Sequence, residues 1–271
     1  MQNNDLKAAV AAVPHWHHSI DLGGGLVTQG VKSLDVLRNE WQAMCIPNLA
    51  GRSVLDIGAW DGWFSFEAER HGAARVVSLD HFVWSLDFSA TNAYFKEKRD
   101  AYLENVERAP CWHPDTLPGK RGYDLAHRAL NSRAEVVVAD YIKVDPNTIG
   151  KFDVVLYLGV LYHTESPLQS LKQLAKLTKG TAIIETAAVE IRGREDLELF
   201  EFHSGKQLGG DITNWWSPTI KGLQGMCHAA GFSKCEVKQG PPRESRKKWL
   251  ARKFGRSPGH VRYRAIVHVS V

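Results

Sequence analysis

Val54-Leu55-Asp56-Ile57-Gly58-Ala59-Trp60-Asp61-Gly62-Trp63-Phe64 is the stretch whose reading decides the fold. An apolar run of strand length ends at Asp56-Ile57, and Gly58 and Gly62 follow it. Glycine permits a tight turn and lets the backbone approach a ligand closely, so the stretch reads as a buried strand, a ligand-holding turn and a helix opening at Gly62. Outward from it, apolar runs at 75–80, 135–140, 152–158 and 181–186 alternate with helical patterns at 63–70 and 168–177. That alternation predicts an α/β fold, a doubly wound and mostly parallel sheet with helices on both faces. Next comes a helix with apolar spacing Ile220, Leu223, Met226 and Cys227, a stop signal at Ala230-Gly231, a strand near 235–238 and a closing strand at 263–270. The sheet is thus predicted to have seven strands. No comparable helix separates the last two, so the terminal pair is expected to be antiparallel.

Charge sets the kind of ligand. A dinucleotide would bring a pyrophosphate to the helix N-terminus, where Asp56 and Asp61 would repel it. S-adenosylmethionine instead brings an ammonium and a sulfonium, which the same acids attract. The third glycine of a dinucleotide turn is also missing, Ser65 standing in its place. Asp80 ends the second apolar run, where a carboxylate accepts from ribose hydroxyls. Asp140 ends the third, placed to accept from the adenine amine while Tyr141 covers a ring face. Ligands in such sheets bind outside the carboxyl ends of the strands, so three acids at successive strand ends point to one cofactor site. Ala59, Trp60 and His81 join it as neighbours of these groups.

A chain of 271 residues, 44% of them hydrophobic, buries one substantial core. It reads as an N-terminal lid and substrate segment, 1–52, with a helix at 34–44, followed by a cofactor-binding domain, 53–271, with insertions at 81–132 and 188–217. In the lid, His15-Trp16-His17-His18 precedes Gly23-Gly24-Gly25, which as a hinge would let the segment close over cofactor and acceptor and exclude water. Trp16 and His17 from this segment, with Tyr162, His203 and Trp215 from later ones, are the candidate acceptor contacts. Trp16 packed on the domain surface is the plainer alternative. The histidines lack the i, i+4 pairing of a helical metal site, and only Asp21 lies near, so no metal is expected.

The net charge of +4 is unevenly placed: nine lysines and arginines lie in 243–264 against the single acid Glu244. Such a run is ordinarily a solvated face; its alternative role is to meet an anion. The apolar run 6–13 is too short for a membrane span and lacks a cleavage pattern, so no membrane association or export is expected. Cys45, Cys111, Cys227 and Cys235 are scattered, with no CxxC pair, which suits reduced thiols in the cytoplasm.

Phe152-Asp153-Val154-Val155-Leu156-Tyr157-Leu158-Gly159-Val160-Leu161-Tyr162-His163-Thr164-Glu165-Ser166-Pro167-Leu168 resembles the fourth-strand motif of the class I S-adenosylmethionine-dependent methyltransferases. More narrowly it resembles that of the tRNA wobble-uridine carboxymethyltransferases and the smaller methyltransferases grouped with them. The resemblance covers about 53–186 and continues more faintly through 214–219, 230–232 and 264–268. It implies a Rossmann-like methyltransferase fold, S-adenosylmethionine as cofactor and S-adenosylhomocysteine as product. By the same resemblance Asp56, Gly58 and Gly62 contact the methionine part, Asp80 the ribose and Asp140 the adenine, while Leu158-Gly159 lines the sulfonium. Thr164-Glu165 stands where the carboxymethyl-transferring enzymes carry a basic pair, and the region before Ser53 is shorter than theirs. Plain methyl transfer to an oxygen or nitrogen of a small, ring-bearing acceptor is therefore the leading expectation. A tRNA-modifying methyl or carboxymethyl transferase and a non-catalytic cofactor-binding protein are the alternatives. Where the acceptor holds a proton a base is needed, and His163 is the candidate, since imidazole accepts protons near neutral pH. Its alternative is to fix the loop before the Pro167 helix. The oligomeric state is left open.

Overall fold

The computed structural model describes residues 3–91, 109–243 and 259–271, and the chain divides into two compact units, Met1–Val154 and Val155–Val271. In the first unit, helices α1 (Asn3–Ala11) and α2 (Leu34–Ala43) precede strand β1 (Ser53–Ile57), helix α3 (Trp63–Arg70) and strand β2 (Arg75–Asp80). Helix α4 (Arg121–Ala129), strand β3 (Glu135–Val138), a short helical turn at Pro146–Ile149 and the start of strand β4 (Phe152–Leu158) follow. β1 pairs in parallel with β2, Val54 opposite Val76 and Ile57 opposite Leu79, and β2 pairs in parallel with β3, Asp80 opposite Val138. Val54, Leu55, Val76, Val77 and Leu79 are all buried, which is why these strands read as continuous apolar runs: a parallel strand is covered on both faces. At its start β1 is fixed to β4 by side chains, Ser53 N and Oγ donating to Asp153 Oδ2 at 3.0 and 2.8 Å.

The stretch from His15 to Lys32 is folded back on itself. Isolated bridges join His18 to Lys32 and Asp21 to Val27, and Leu22 N donates to Leu26 O at 2.9 Å. Gly23, Gly24 and Gly25, with φ of 84°, 58° and 77°, make the turn between those arms. The expected hinge is therefore a tight turn, because positive φ at three successive positions is what a run of glycines supplies.

In the second unit β4 continues into helix α5 (Pro167–Leu177), strand β5 (Thr178–Ile191), strands β6 (Phe200–Phe202) and β7 (Trp216–Pro218), helix α6 (Ile220–Ala229), and strands β8 (Lys234–Gln239) and β9 (His260–Ser270). β5 runs well past the predicted 181–186 because β9 accompanies it antiparallel from Thr181 opposite Ser270 to Ile191 opposite His260. β8 lies antiparallel on the other side of β9, with a bulge between Val237 and Gln239. The seven strands run in the order β3-β2-β1-β4-β5-β9-β8. Growth runs outward from β1 to β3 and then the other way from β4, the doubly wound arrangement with an antiparallel end predicted above. β6 and β7 form a separate antiparallel pair inside the 188–217 insertion.

Besides α1 and a four-residue helix at Pro146–Ile149, two further features of the described residues were not predicted, α4 and the β6–β7 pair. α4 lies in the 81–132 insertion, with Tyr123, Leu125 and Ala126 buried on one side. The β6–β7 pair has strands of three residues, too short to show a period. The third strand ends at Val138 instead of residue 140, leaving Asp140 at the head of a 3₁₀ turn.

Gly62 opens α3 with φ of 87°, and a Cβ there would meet the rings of Phe66 and Tyr123 at 2.7 Å. Both the backbone conformation and the space exclude a side chain, so Gly62→Ala is expected to lower stability by roughly 2–4 kcal/mol, read from urea unfolding.

Candidate functional site

The turn after β1 is fixed by the backbone of β2 and by its terminal acid. Gly58 N and Ala59 N donate to Leu79 O at 2.8 and 3.2 Å, and Gly62 N closes onto Ala59 O at 2.7 Å. Trp60, itself at φ of 49°, donates its amide to Asp80 Oδ2 at 3.0 Å and accepts from Trp84 Nε1 at 2.7 Å. Asp80 Oδ1 also accepts from Val83 N at 3.1 Å. Asp80 thus ties the end of β2 to the glycine turn of β1.

Asp56 terminates a relay of hydroxyls. Tyr123 donates to Ser78 at 2.8 Å, Ser78 to Ser65 at 2.7 Å, and Ser65 to Asp56 Oδ2 at 2.6 Å. The residue that departs from the dinucleotide pattern is therefore the donor that holds the first acid. Asp61 faces the N-terminal segment, its Oδ2 accepting from His17 N at 2.6 Å and His18 N at 2.9 Å.

All three carboxylates are buried. Burial pushes Asp56 and Asp61 up to about 7 and Asp80 up to about 6, against the pull of their hydrogen-bond donors, and the charge of Asp80 raises the other two further. Among the described residues no lysine or arginine pairs with any of them. His18 Nδ1 lies 3.9 Å from Asp61, and burial holds that imidazole well below its ordinary value, hence neutral. A buried carboxylate without a cation is costly, so this turn is a place where a positively charged ligand is favoured.

The remaining predicted residues of the first unit are less closely joined. Asp140 caps its turn by accepting from Ile142 N at 3.2 Å and pairs with Lys143 at 3.1 Å. Tyr141 is buried beside it, and His81 sets its ring edge-on to Trp112. His17 stacks on Trp60 with centroids 4.0 Å apart, and its ring is driven down to about 3 mainly by burial. Trp16 is not open to an acceptor: its ring is buried and its Nε1 donates to Val10 O at 3.2 Å, so it anchors α1. A cavity of about 80 Å³ lies among Val13, His15, Phe88, Pro118 and Arg121, and none of the three coupled acids lines it.

In the second unit, Leu158-Gly159 leads into the turn carrying Tyr162 and His163. Gly159, at φ of 72°, donates its amide to Glu185 O at 3.0 Å. The Glu185 carboxylate takes the guanidinium fork of Arg264, which lies over the Tyr162 ring at 4.7 Å. His163 Nδ1 lies 3.0 Å from Thr213 O and 2.9 Å from Thr213 Oγ1. Trp215 N donates to Tyr162 O at 2.7 Å, and Trp216 Nε1 to Thr164 O at 3.0 Å, so the 188–217 insertion is fastened to this turn. His203 is corrected as an acceptor contact: it is 1% exposed, with Nε2 at 2.9 Å from Ser217 Oγ, and it joins β6 to β7. Sequence reasoning missed Glu185, Arg264, Asp211 and Thr213. A lone acid inside the apolar run Ala182-Ile183-Ile184-Glu185-Thr186-Ala187 was the available signal for the first pair.

Among the described residues no group of three or more histidines, cysteines or acids is arranged to hold a metal, and no helix is long and apolar enough to cross a membrane. A family model described as a methyltransferase domain matches residues 36–237, and the chain belongs to that family. Its fold is the Rossmann-like one of the class I methyltransferases. The tRNA U34 carboxymethyltransferase of Campylobacter curvus (strain 525.92) is 26% identical over 207 residues, which are 74% of this chain and 55% of that protein. Its counterpart from Helicobacter pylori (strain ATCC 700392 / 26695) is 26% identical over 206 residues, 73% of this chain and 64% of that one. The chain thus spans somewhat more than half the length of these curated relatives. Among solved structures, the N-terminal domain of EvdMO1 with SAH bound shares the fold, with a TM-score of 0.61 at 18% identity, covering 100% of this chain and 98% of that one.

The raised pKa of Asp56 has a signed consequence. The folded protein keeps this proton up to about 7 while the unfolded chain releases it near 3.8, so the carboxyl costs stability progressively across that window and fully above it. In the ligand-free protein Asp56→Asn is expected to raise stability on the order of 4 kcal/mol at pH 8, by about 1–2 kcal/mol at pH 5, and to leave it nearly unchanged only below the unfolded value of 3.8, measured by calorimetry.

Proposed function

We propose that this chain transfers a methyl group from S-adenosylmethionine to an oxygen or nitrogen of a small, ring-bearing acceptor. One observation supports the placement of the cofactor above others: Asp56 and Asp80, buried at the ends of adjacent parallel strands, have no basic partner among the described residues beside a glycine turn. In this reading Asp56 receives the ammonium, Asp80 the ribose hydroxyls and Asp140-Tyr141 the adenine. Gly58, Ala59, Trp60, Gly62 and His81 shape the turn around them, and Leu158-Gly159 keeps the place at the sulfonium that the family resemblance gives it. The bound cofactor supplies an electrophilic methyl, and orientation of the acceptor supplies much of the acceleration.

The acceptor half of the reading rests on the second unit. Tyr162 and Trp215 offer rings, and His163 offers a base. Thr164 closes its hydroxyl onto Leu161 O at 2.9 Å, and the exposed Glu165 beside it gives this turn a negative charge, which disfavours an anionic ligand there. The same reading places the protein in the cytoplasm, which its four free cysteines suit.

A second reading, tRNA carboxymethyl transfer, has one observation in its favour besides the relatives' names. Arg264 over Tyr162 is a cation of the kind an extra cofactor carboxylate needs, though its fork is engaged by Glu185. Of the basic run 243–264, residues 244–258 lie outside the described residues.

Titration calorimetry with S-adenosylmethionine is expected to show binding that tightens from pH 5.5 to pH 8 as the acids ionise, and no binding at high micromolar concentration would end the first reading. Asp80→Ala is expected to weaken that binding by at least about tenfold, the loss of a charge-assisted pair of hydrogen bonds. Transfer RNA affinity that falls steeply with salt would move the assignment to the second reading.

A further inference from the structure

We infer that Thr213 and Asp211 hold His163 in one tautomer, the proton on Nδ1 and the lone pair on Nε2, so that the enzyme serves an acceptor that must surrender a proton, a hydroxyl. The inference rests on the methyl-transfer reading above for its acceptor class, but not for its geometry.

The tautomer follows from what the partners are able to do. A backbone carbonyl only accepts, so Nδ1 at 3.0 Å from Thr213 O must carry hydrogen. The second contact, Nδ1 to Thr213 Oγ1 at 2.9 Å, is open to either sense until the threonine's own proton is traced. That proton goes to Asp211 Oδ1, 2.8 Å away, and the same oxygen accepts Thr213 N at 2.8 Å. Thr213 Oγ1 therefore also accepts from the ring, and both bonds assign the hydrogen to Nδ1. Nε2 is left as the proton acceptor, with no hydrogen-bond partner among the described residues, on a half-buried ring.

The charges around the ring act in opposite directions. Burial lowers its pKa, as does the Arg264 guanidinium from β9, while Asp211 and the Thr213 bond raise it, and the net shift is downward. Tyr162, whose ring centroid is 4.3 Å away, is itself held un-ionised by burial. His163 is thus neutral at physiological pH. The turn that carries it and the segment that carries Thr213 are clamped together by Trp215 N on Tyr162 O and Trp216 Nε1 on Thr164 O.

A fixed neutral base has little to do for a nitrogen acceptor that already presents a free lone pair. A hydroxyl needs it. As the oxygen–methyl bond forms and the methyl–sulfur bond breaks, the electron pair stays on sulfur and the hydroxyl proton passes to Nε2, then to solvent. Thr213 and Asp211 are positioning residues, acting through His163.

The test uses the full chain labelled with ¹⁵N-histidine. Long-range ¹H–¹⁵N spectra are recorded from pH 5 to 9, and the His163 ring is assigned from the signals missing in His163→Gln. The Nδ1–H pattern is expected, with a midpoint below 6.5. Thr213→Val should weaken the tautomer preference, and Asp211→Asn should move the midpoint down by about half a pH unit. An Nε2–H pattern, or one unchanged in both variants, would overturn the inference. The acceptor class is read separately, by mass spectrometry after incubation with S-adenosylmethionine and a metabolite extract. O-methylated product supports a hydroxyl acceptor, and methylation of a nitrogen that bears no proton overturns it. Absence of both cofactor binding and product would count against the methyl-transfer reading itself, while the tautomer result stands independently.

Discussion

The first unit is organised around a cost. Asp56, Asp61 and Asp80 are withdrawn from water at one glycine turn, and Ser65, His17, His18, Trp60 and Val83 supply donors but no positive charge. Hydrogen bonds to neutral donors reduce the desolvation penalty of a carboxylate without cancelling it, and the raised pKa values are its signature. Much of the rest follows from keeping these acids where they are. The tight turn at Gly58 and Gly62 brings them together, the Tyr123-Ser78-Ser65 relay spans from α4 to β1, and the N-terminal arm is drawn in by its own amides.

Asp61 makes that last connection unusual in kind. It lies inside the glycine turn yet spends its hydrogen-bonding capacity on the backbone of His17 and His18. The arm is thereby tied to the loop most sensitive to a ligand's charge. His17 adds a ring face on Trp60, so both the backbone and the side chain of one residue report on the conformation of that turn.

What the sequence disclosed, and what it did not, divides by range. β1, β2 and β4 were legible to the residue because burial on both faces leaves an unbroken apolar run. The order of the sheet followed from alternation and from the missing helix before β9. α4 was hidden because it is short and its buried side, Gly122, Tyr123, Leu125 and Ala126, carries a glycine and only one aliphatic residue larger than alanine, and β6 and β7 because three residues carry no period. In the site, the acids at strand ends could be named, but their local differences could not: Asp56 and Asp80 are buried, while Asp140 is half-buried and caps a turn. Trp16 and His203 had the chemistry of contact residues and turned out to be anchors, since an aromatic ring with a polar tip serves a core as readily as a pocket. Arg264 read as one more member of a basic run, whereas its role is set by Glu185, 79 residues earlier.

β8 closes the sheet at one margin, and its composition bears on association. Lys234, Glu236 and Lys238 project from a strand that is exposed along most of its length, and the bulge at Val237/Gln239 breaks the regular ladder. Charges and irregularity of this kind deny a neighbouring chain the flat, unpaired backbone that strand addition needs. Along that border a second copy would meet charge and a broken ladder in place of a flat template.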